Sequence, residues 1–275
     1  MSEPSFQHHA ERARRGQWEV HTLPWDEPLN LSSGSKREQT LSKLDLLDVV
    51  TSLYHLKLGA RGRLGRQLVR WWGPVEALLS CMEWHDADEQ RHVHVLRRLQ
   101  SLVSSKGEPV SRNDRPLDPS PLWRVAADGR GSADQALLHT LIDEAVMRTL
   151  FSRVATDNRI PLVRAVFDAA AQDEARHVDY LTAMASLRFE GEPPHRLVKL
   201  HASAVWHVGR LLAALRPYLA SFAGATHSSQ DQIASAMFGA ASNALSDLGE
   251  GWKTAPLMRL VHSADSSPWM LWILR

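Results

Sequence analysis

Cysteine is almost missing from this chain: Cys81 is the only one in 275 residues. No disulfide can form within the chain, and no thiolate cluster can hold a metal. Long apolar runs are missing as well, since no stretch reaches the ~20 uncharged residues needed to cross a bilayer. Met1 to Gly16 is polar where a signal peptide would carry an apolar centre. Neither sign of charge dominates: 32 Lys and Arg stand against 31 Asp and Glu, for a formal net charge of +1. Even the basic run from Lys57 to Arg70 has no aromatics threaded through it on which bases could stack. These absences argue against nucleic-acid and membrane partners and lead us to expect a soluble, cytoplasmic protein.

Period-two alternation is also absent, so the expected class is all-α. What is present is helical patterning over about 41–71, 75–105, 133–157, 160–188, 195–222 and 228–248. The interruptions are typical helix boundaries: Gly73-Pro74, the polar loop from Ser104 to Arg130, Asn158 to Pro161, and Gly191 to Pro194. Ser132 is placed to cap the third segment. Pro24, Pro28 and the Leu31–Ser35 cluster make residues 1–40 read as an irregular arm. Residues 41–190 read as a four-helix core, and 191–275 as two further helices and a tail packed back on it. Ten tryptophans, including Trp252, Trp269 and Trp272 near the end, are expected to fill the core or pin these outer segments to it.

The most informative feature is a duplicated motif. Asp88-Glu89-Gln90-Arg91-His92 and Asp173-Glu174-Ala175-Arg176-His177 each fall in the second helix of a hairpin. Residues three apart on a helix share a face, so Glu89 and His92 point the same way, as do Glu174 and His177. Both pairs interrupt apolar stripes: Val75, Leu78, Met82, Leu96 and Leu99 in one helix, and Val163, Val166, Ala170, Leu181 and Met184 in the other. Glu144 interrupts a third stripe, between Leu141, Met147 and Phe151. Charges in the middle of a core stripe are costly unless paired or bound to metal. One cation held by carboxylates and imidazoles accounts for all three, and the donor chemistry suits iron, manganese or zinc. Asp88 and Asp173 can accept the outer N–H of a ligating histidine from the opposite motif. A structural ion network, with Arg91, Arg148 and Arg176 as counter-ions, is the competing reading. His85, one turn before Glu89, is either a further member of the cluster or an ordinary core histidine. Tyr180, one turn after His177, is either a core residue or a redox-active side chain.

These residues resemble the ferritin-like di-iron carboxylate superfamily, built from Glu on two helices and Glu-x-x-His on the other two. Over residues 41–188 the Asp-Glu-x-Arg-His segments are similar to those of the small subunit of class I ribonucleotide reductase and related oxygenases. Gln17-Trp18-Glu19 and Leu23-Pro24-Trp25-Asp26 resemble the tryptophan-containing lead-in of several such proteins. The resemblance implies an antiparallel four-helix bundle with two additional C-terminal helices. It implies one or two iron ions, or manganese, or a mixed Mn/Fe pair. Glu89 and Glu174 would bridge, with Glu144, Glu174 and His177 holding one ion, and Glu89, His92 and a first-helix Glu holding the other. The function implied is an oxygen-activating hydroxylase or N-oxygenase acting on a small organic molecule, with a reductase partner and a homodimeric assembly as further expectations. The alternative is a ferritin-like scaffold or partner subunit with no catalysis of its own.

The first-helix Glu can be sought by counting from the hairpin turns. Glu174 and Glu144 are level about the turn near Asn158–Arg159, and the same count about Trp72–Gly73 puts the partner of Glu89 near position 56 or 57. The residues there are Tyr54, His55, Leu56, Lys57 and Leu58, none of them acidic. Asp45 and Asp48 lie two to three turns away. His55 can supply a neutral imidazole in the empty place, and a deprotonated or carbamylated Lys57 can act as a ligand. Alternatively the Lys57 ammonium sets itself against Glu89 and stands in for a cation.

Overall fold

The computed structural model describes residues 3–27, 29, 36–60, 76–104, 133–249 and 252. Among them the secondary structure is helical, with no strand. Helix α1 spans Glu3–Arg15, α2 Lys36–Ala60, α3 Glu76–Val103, α4 Ala133–Asp157 and α5 Pro161–Phe189. Then follow α6 (Pro194–Leu215), a 3₁₀ turn (Arg216–Tyr218), α7 (Leu219–Ala225) and α8 (Gln230–Ser246). Helices α2 to α5 form the antiparallel four-helix bundle expected of a ferritin-like chain, with α2 packed on α3 and α4 on α5. Helices α6 and α8 lie against α4, α7 lies against α2, and α1 crosses α3 and α5.

Local chemistry explains the boundaries. The α4–α5 turn is short because Asn158 closes it: its N–H donates to Val154 O at 3.1 Å, and its Oδ1 accepts from Ile160 N–H at 3.0 Å. Pro161 then starts α5 where a missing N–H costs nothing. Gly191, at φ +73°, ends the run after α5 in a conformation that favours glycine. Ser229 caps α8 through a reciprocal box with Gln232.

The arm and the C-terminal part differ from the sequence expectation. Residues 3–15 are helical rather than irregular. The proline breakers lie downstream of this segment, and Phe6 anchors it, buried against the bundle, with Cys81 Sγ–H donating to Phe6 O at 3.6 Å. The segment expected as one helix over 195–222 breaks where Pro217 removes a backbone donor, so among the described residues three helices rather than two follow the bundle. Gly73-Pro74, residues 105–130, Ser132, Trp269 and Trp272 lie outside the described residues.

The three stripes are buried as their spacing requires: Leu78, Met82, Leu96 and Leu99 on α3, Leu141, Met147 and Phe151 on α4, and Val163, Val166, Ala170, Leu181 and Met184 on α5. They belong to one continuous core that also takes in Phe6, Phe222 and Trp252. Helix α6 is additionally tied to α4 by polar contacts, with His207 Nε2 at 2.7 Å from Asp143 Oδ1 and His139 Nε2 at 2.9 Å from Ser203 Oγ. Burial, with the neighbouring His207, pushes His139 down to about 3, so it stays neutral where α4 and α6 enclose it.

Leu99 is fully buried, whereas Leu102 on the next turn is 42% exposed. Leu99→Ala should therefore cost about 2–5 kcal/mol in urea unfolding, and Leu102→Ala less than about 0.5 kcal/mol. Equal losses would mean that α3 is rotated from the orientation described.

Candidate metal centre

Helices α3, α4 and α5 bring Glu89, Glu144 and Glu174 to one height in the bundle, where each is at most 4% exposed. Lys57 of α2 enters the same space. Its Nζ lies 2.6 Å from Glu89 Oε1, 2.5 Å from Glu174 Oε1 and 3.4 Å from Glu144 Oε2. This is the position at which the hairpin count finds no carboxylate, and an ammonium fills it. His55 is half-buried, with its ring edge-on to Tyr54 at 5.3 Å, and is not among the side chains that converge here. Asp48 is also elsewhere, accepting from Ser221 Oγ–H of α7 at 3.0 Å.

The two imidazoles of the repeated motif line the cluster with Nδ1 inward. His92 Nδ1 is 3.3 Å from both Glu89 Oε1 and Glu174 Oε1. His177 Nδ1 is 3.3 Å from Glu144 Oε2 and 3.5 Å from Glu174 Oε2. Their Nε2 atoms point outward and cross between motifs, His92 to Asp173 Oδ2 at 2.9 Å and His177 to Asp88 Oδ2 at 3.1 Å. An Nε2–H donated to a carboxylate leaves a lone pair on Nδ1 of a neutral imidazole.

Sequence reasoning left His85 open; the structure brings it to the cluster. Its ring stacks on His177 at 3.8 Å and 6°. Nε2 is 3.6 Å from Glu144 Oε1, and Nδ1 is 2.5 Å from Tyr180 Oη. The signal was its spacing, four residues before Glu89 on the same helical face.

Asp88 and Asp173 are held from outside. Arg91 pairs with Asp88, Arg176 pairs with Asp173, and each guanidinium also reaches the other motif's aspartate, at 3.8 and 3.5 Å. The residues after α1 close this layer: Gln17 Nε2–H donates to Asp88 Oδ1 at 3.0 Å, and Trp18 Nε1–H to Asp173 Oδ2 at 2.9 Å. The approach is tight at Gly16, where a Cβ would lie 2.5 Å from Arg176 Nη1. Arg148, the third counter-ion considered from sequence, is exposed and lines an outer groove with Arg153 and Asn243.

The electrostatics follow from these contacts. Burial opposes the charge on Lys57, but Glu144, Glu174 and Glu89 outweigh it and hold the ammonium well above the usual lysine range. Burial likewise disfavours charged His92 and His177, yet the carboxylates of Asp173 and Asp88 and of the adjacent glutamates raise both well above a free imidazole. Glu89 sits at about 2: burial pushes it up, and Lys57 with His92 more than reverses this. Burial and the charge of Glu144 raise Glu174, making it the first of the three to take a proton as pH falls.

Several buried atoms have no hydrogen bond: Glu89 Oε2, His92 Nδ1 and both oxygens of Glu174, whose 2.5 Å approach to Lys57 lacks hydrogen-bond alignment. The carboxylate oxygens among them, and His92 Nδ1 once its proton has left, are acceptors that a cation would complete. One atom from each of His85, Glu89, Glu144 and His177 lie within 4.8 Å of one another, as do atoms of Glu89, His92 and Glu174. Oxygen and imidazole donors at this spacing fit iron, manganese or zinc.

Stability of the chelated, metal-free protein should carry the signature of these shifts. The lowered carboxyls contribute fully above their unfolded values near 4 and lose that contribution as pH falls through the folded ones. The raised imidazoles contribute fully below about 6.5 and lose it as pH rises through their folded values. His139, held down to about 3 by burial, adds stability that is lost as pH falls below about 6.5, so the urea midpoint should be highest near pH 6.5 and decline on either side. A midpoint that keeps climbing from about pH 5 to 8 would contradict charged imidazoles in the core.

Comparison with known proteins adds the fold. No family model matches the chain, and no curated protein matches it by sequence. Among solved structures, a Tyr-to-Phe variant of an R2-like ligand-binding oxidase with anaerobically reconstituted Mn/Fe cofactor superposes with a TM-score of 0.68 at 12% identity, over 89% of this chain and 93% of that one. A Val-to-Leu variant with the same kind of cofactor gives 0.67 at 13% identity, with the same coverage of each chain. A Gly-to-Leu variant with aerobically reconstituted Fe/Fe cofactor gives 0.64 at 13%, again over 89% and 93%. This chain therefore shares the ferritin-like helical fold of the R2-like ligand-binding oxidases across nearly its whole length.

Proposed function

We propose that the chain is a metal-dependent oxidoreductase that activates dioxygen to hydroxylate or N-oxygenate a small organic molecule. One observation carries the reading: six buried side chains, Glu89, His92, Glu144, Glu174, His177 and His85, converge from three helices with unsatisfied lone pairs among them. The R2-like oxidases of the same fold carry Mn/Fe or Fe/Fe cofactors, which makes iron, manganese or a mixture the ion to test first.

A reduced ion bound here would supply dioxygen binding and electron transfer. The protein's part is positioning. Asp88 and Asp173 orient His177 and His92, Arg91 and Arg176 fix the aspartates, and Phe151, edge-on to His92 at 5.8 Å, keeps that side apolar. Insertion of one oxygen atom into a substrate releases the other as water and consumes two electrons and two protons. A reductase partner would have to deliver those electrons. No helix among the described residues is long and apolar enough to cross a membrane.

A second reading has a specific observation in its favour. Lys57 pairs with the glutamates and offsets part of their charge without any metal, as a ferritin-like scaffold or partner subunit that has left catalysis behind would require.

Metal binding should raise the melting temperature, because an ion that binds only the folded state adds stability by mass action. His177→Ala should abolish that increment while circular dichroism stays helical. Ferrous protein supplied with a chemical reductant should then take up dioxygen, and the variant should not. Melting that is indifferent to both metal and chelator would favour the scaffold.

A further inference from the structure

The two convergent donor groups are not equivalent, and Lys57 separates them. The oxygens flanking His92 Nδ1 are Glu89 Oε1 and Glu174 Oε1, each at 3.3 Å. The same two oxygens are the ones the ammonium approaches, at 2.6 and 2.5 Å. A metal ion bonded to them would sit about 2.0–2.2 Å away, in the space Nζ already occupies. Lys57 is 2% exposed, and Phe151 lies beside its ammonium at 5.9 Å, so the side chain is enclosed in the core.

The other group meets the ammonium less closely: Glu144 Oε2 is 3.4 Å from Nζ, and Glu89, which both groups share, keeps its Oε2 without a hydrogen bond. His85 Nε2 faces Glu144 Oε1, and its Nδ1 is fixed by Tyr180 Oη as Asp88 fixes His177. If Nδ1–H donates to the phenol oxygen, Nε2 keeps its lone pair for a ligand. Charge leads to the same count: three glutamates less one ammonium leave two negative charges, which one divalent ion balances.

We propose that this centre takes a single divalent cation, held by His85, Glu89, Glu144 and His177, and that the Lys57 ammonium stands permanently in the place of a second ion. The proposal rests on the metal-dependent reading above. It differs from the ligand set implied by the ferritin-like resemblance in three ways: Glu174 serves the ammonium rather than bridging two metals, His92 holds no ion, and His85 becomes a ligand.

The test uses the full chain, stripped with chelator and titrated anaerobically with Fe(II) and, separately, with Mn(II). Calorimetry and elemental analysis give ions per chain, and electron paramagnetic resonance of the Mn(II) form separates isolated from exchange-coupled ions. One ion per chain with an isolated Mn(II) spectrum is expected. Lys57→Glu should bind two ions and give a coupled spectrum. His85→Ala should weaken the single site by at least about tenfold, the lower bound for removing a mere supporting partner of a ligand. Two ions in the wild type would overturn the proposal and leave the metal-dependent reading standing; no ion would overturn both. A single ion unaffected by His85→Ala would overturn the ligand assignment, and a folded Lys57→Glu that still binds one would show that the ammonium is not what excludes the second. Should Lys57→Glu fail to fold, the wild-type count and spectrum decide.

Discussion

Three carboxylates in the middle of an apolar bundle are the constraint around which this molecule is arranged. Desolvating each one costs several kcal/mol unless an opposite charge meets it at close range, and Glu89, Glu144 and Glu174 come from three different helices. Lys57 answers all three from the fourth helix. That contact fixes the height of α2 relative to α3, α4 and α5. A shift of one turn, ~5.4 Å, would leave the ammonium and the glutamates buried without each other. Breaking such a contact by removing one partner typically costs ~3–5 kcal/mol.

The repeated pentapeptide organises what surrounds the cluster. In each copy Glu and His face inward, Asp holds the histidine of the other copy, and Arg holds the Asp of its own. Crossing the aspartates couples α3 to α5 more firmly than two separate local networks would, because each imidazole is oriented from the opposite helix. The segment after α1 then closes the open side, with Gln17 on one aspartate and Trp18 on the other. The short arm therefore packs on the layer that orients the histidines, which gives the Trp18 of the lead-in a definite partner and Gly16 a role that its position in sequence does not suggest.

Much of this was legible in the sequence because it is local and periodic. Helical spacing assigned the three interrupted stripes, and symmetric counting about a hairpin turn made Glu144 level with Glu174 and put Lys57 opposite Glu89. The same motif logic anticipated the crossed aspartates. What could not be read depends on packing between distant segments. Helix α1 is short and anchored by Phe6 against Cys81. His85 enters the cluster through a stack on His177 and a contact with Tyr180. Arg148 turns outward, which composition cannot reveal. Of the two residues considered for the vacant first-helix place, only a three-dimensional side-chain path decides that Lys57 enters and His55 stays beside Tyr54.

A purely structural role explains the cluster poorly. Hydrophobic side chains of similar volume usually stabilise a core as well as a buried ion network does, or better. A core that keeps three glutamates, three histidines and a lysine, with several lone pairs unmet, has forgone that simpler solution. The charge balance indicates what the arrangement permits. Without metal, the two negative charges left by Lys57 are met by protons on His92 and His177, both held well above the usual imidazole range by the carboxylates around them. With one divalent ion, those protons can leave and the sum is unchanged. Metal and protons would therefore compete for the same imidazole lone pairs, and an ion bound here would displace protons rather than add to them.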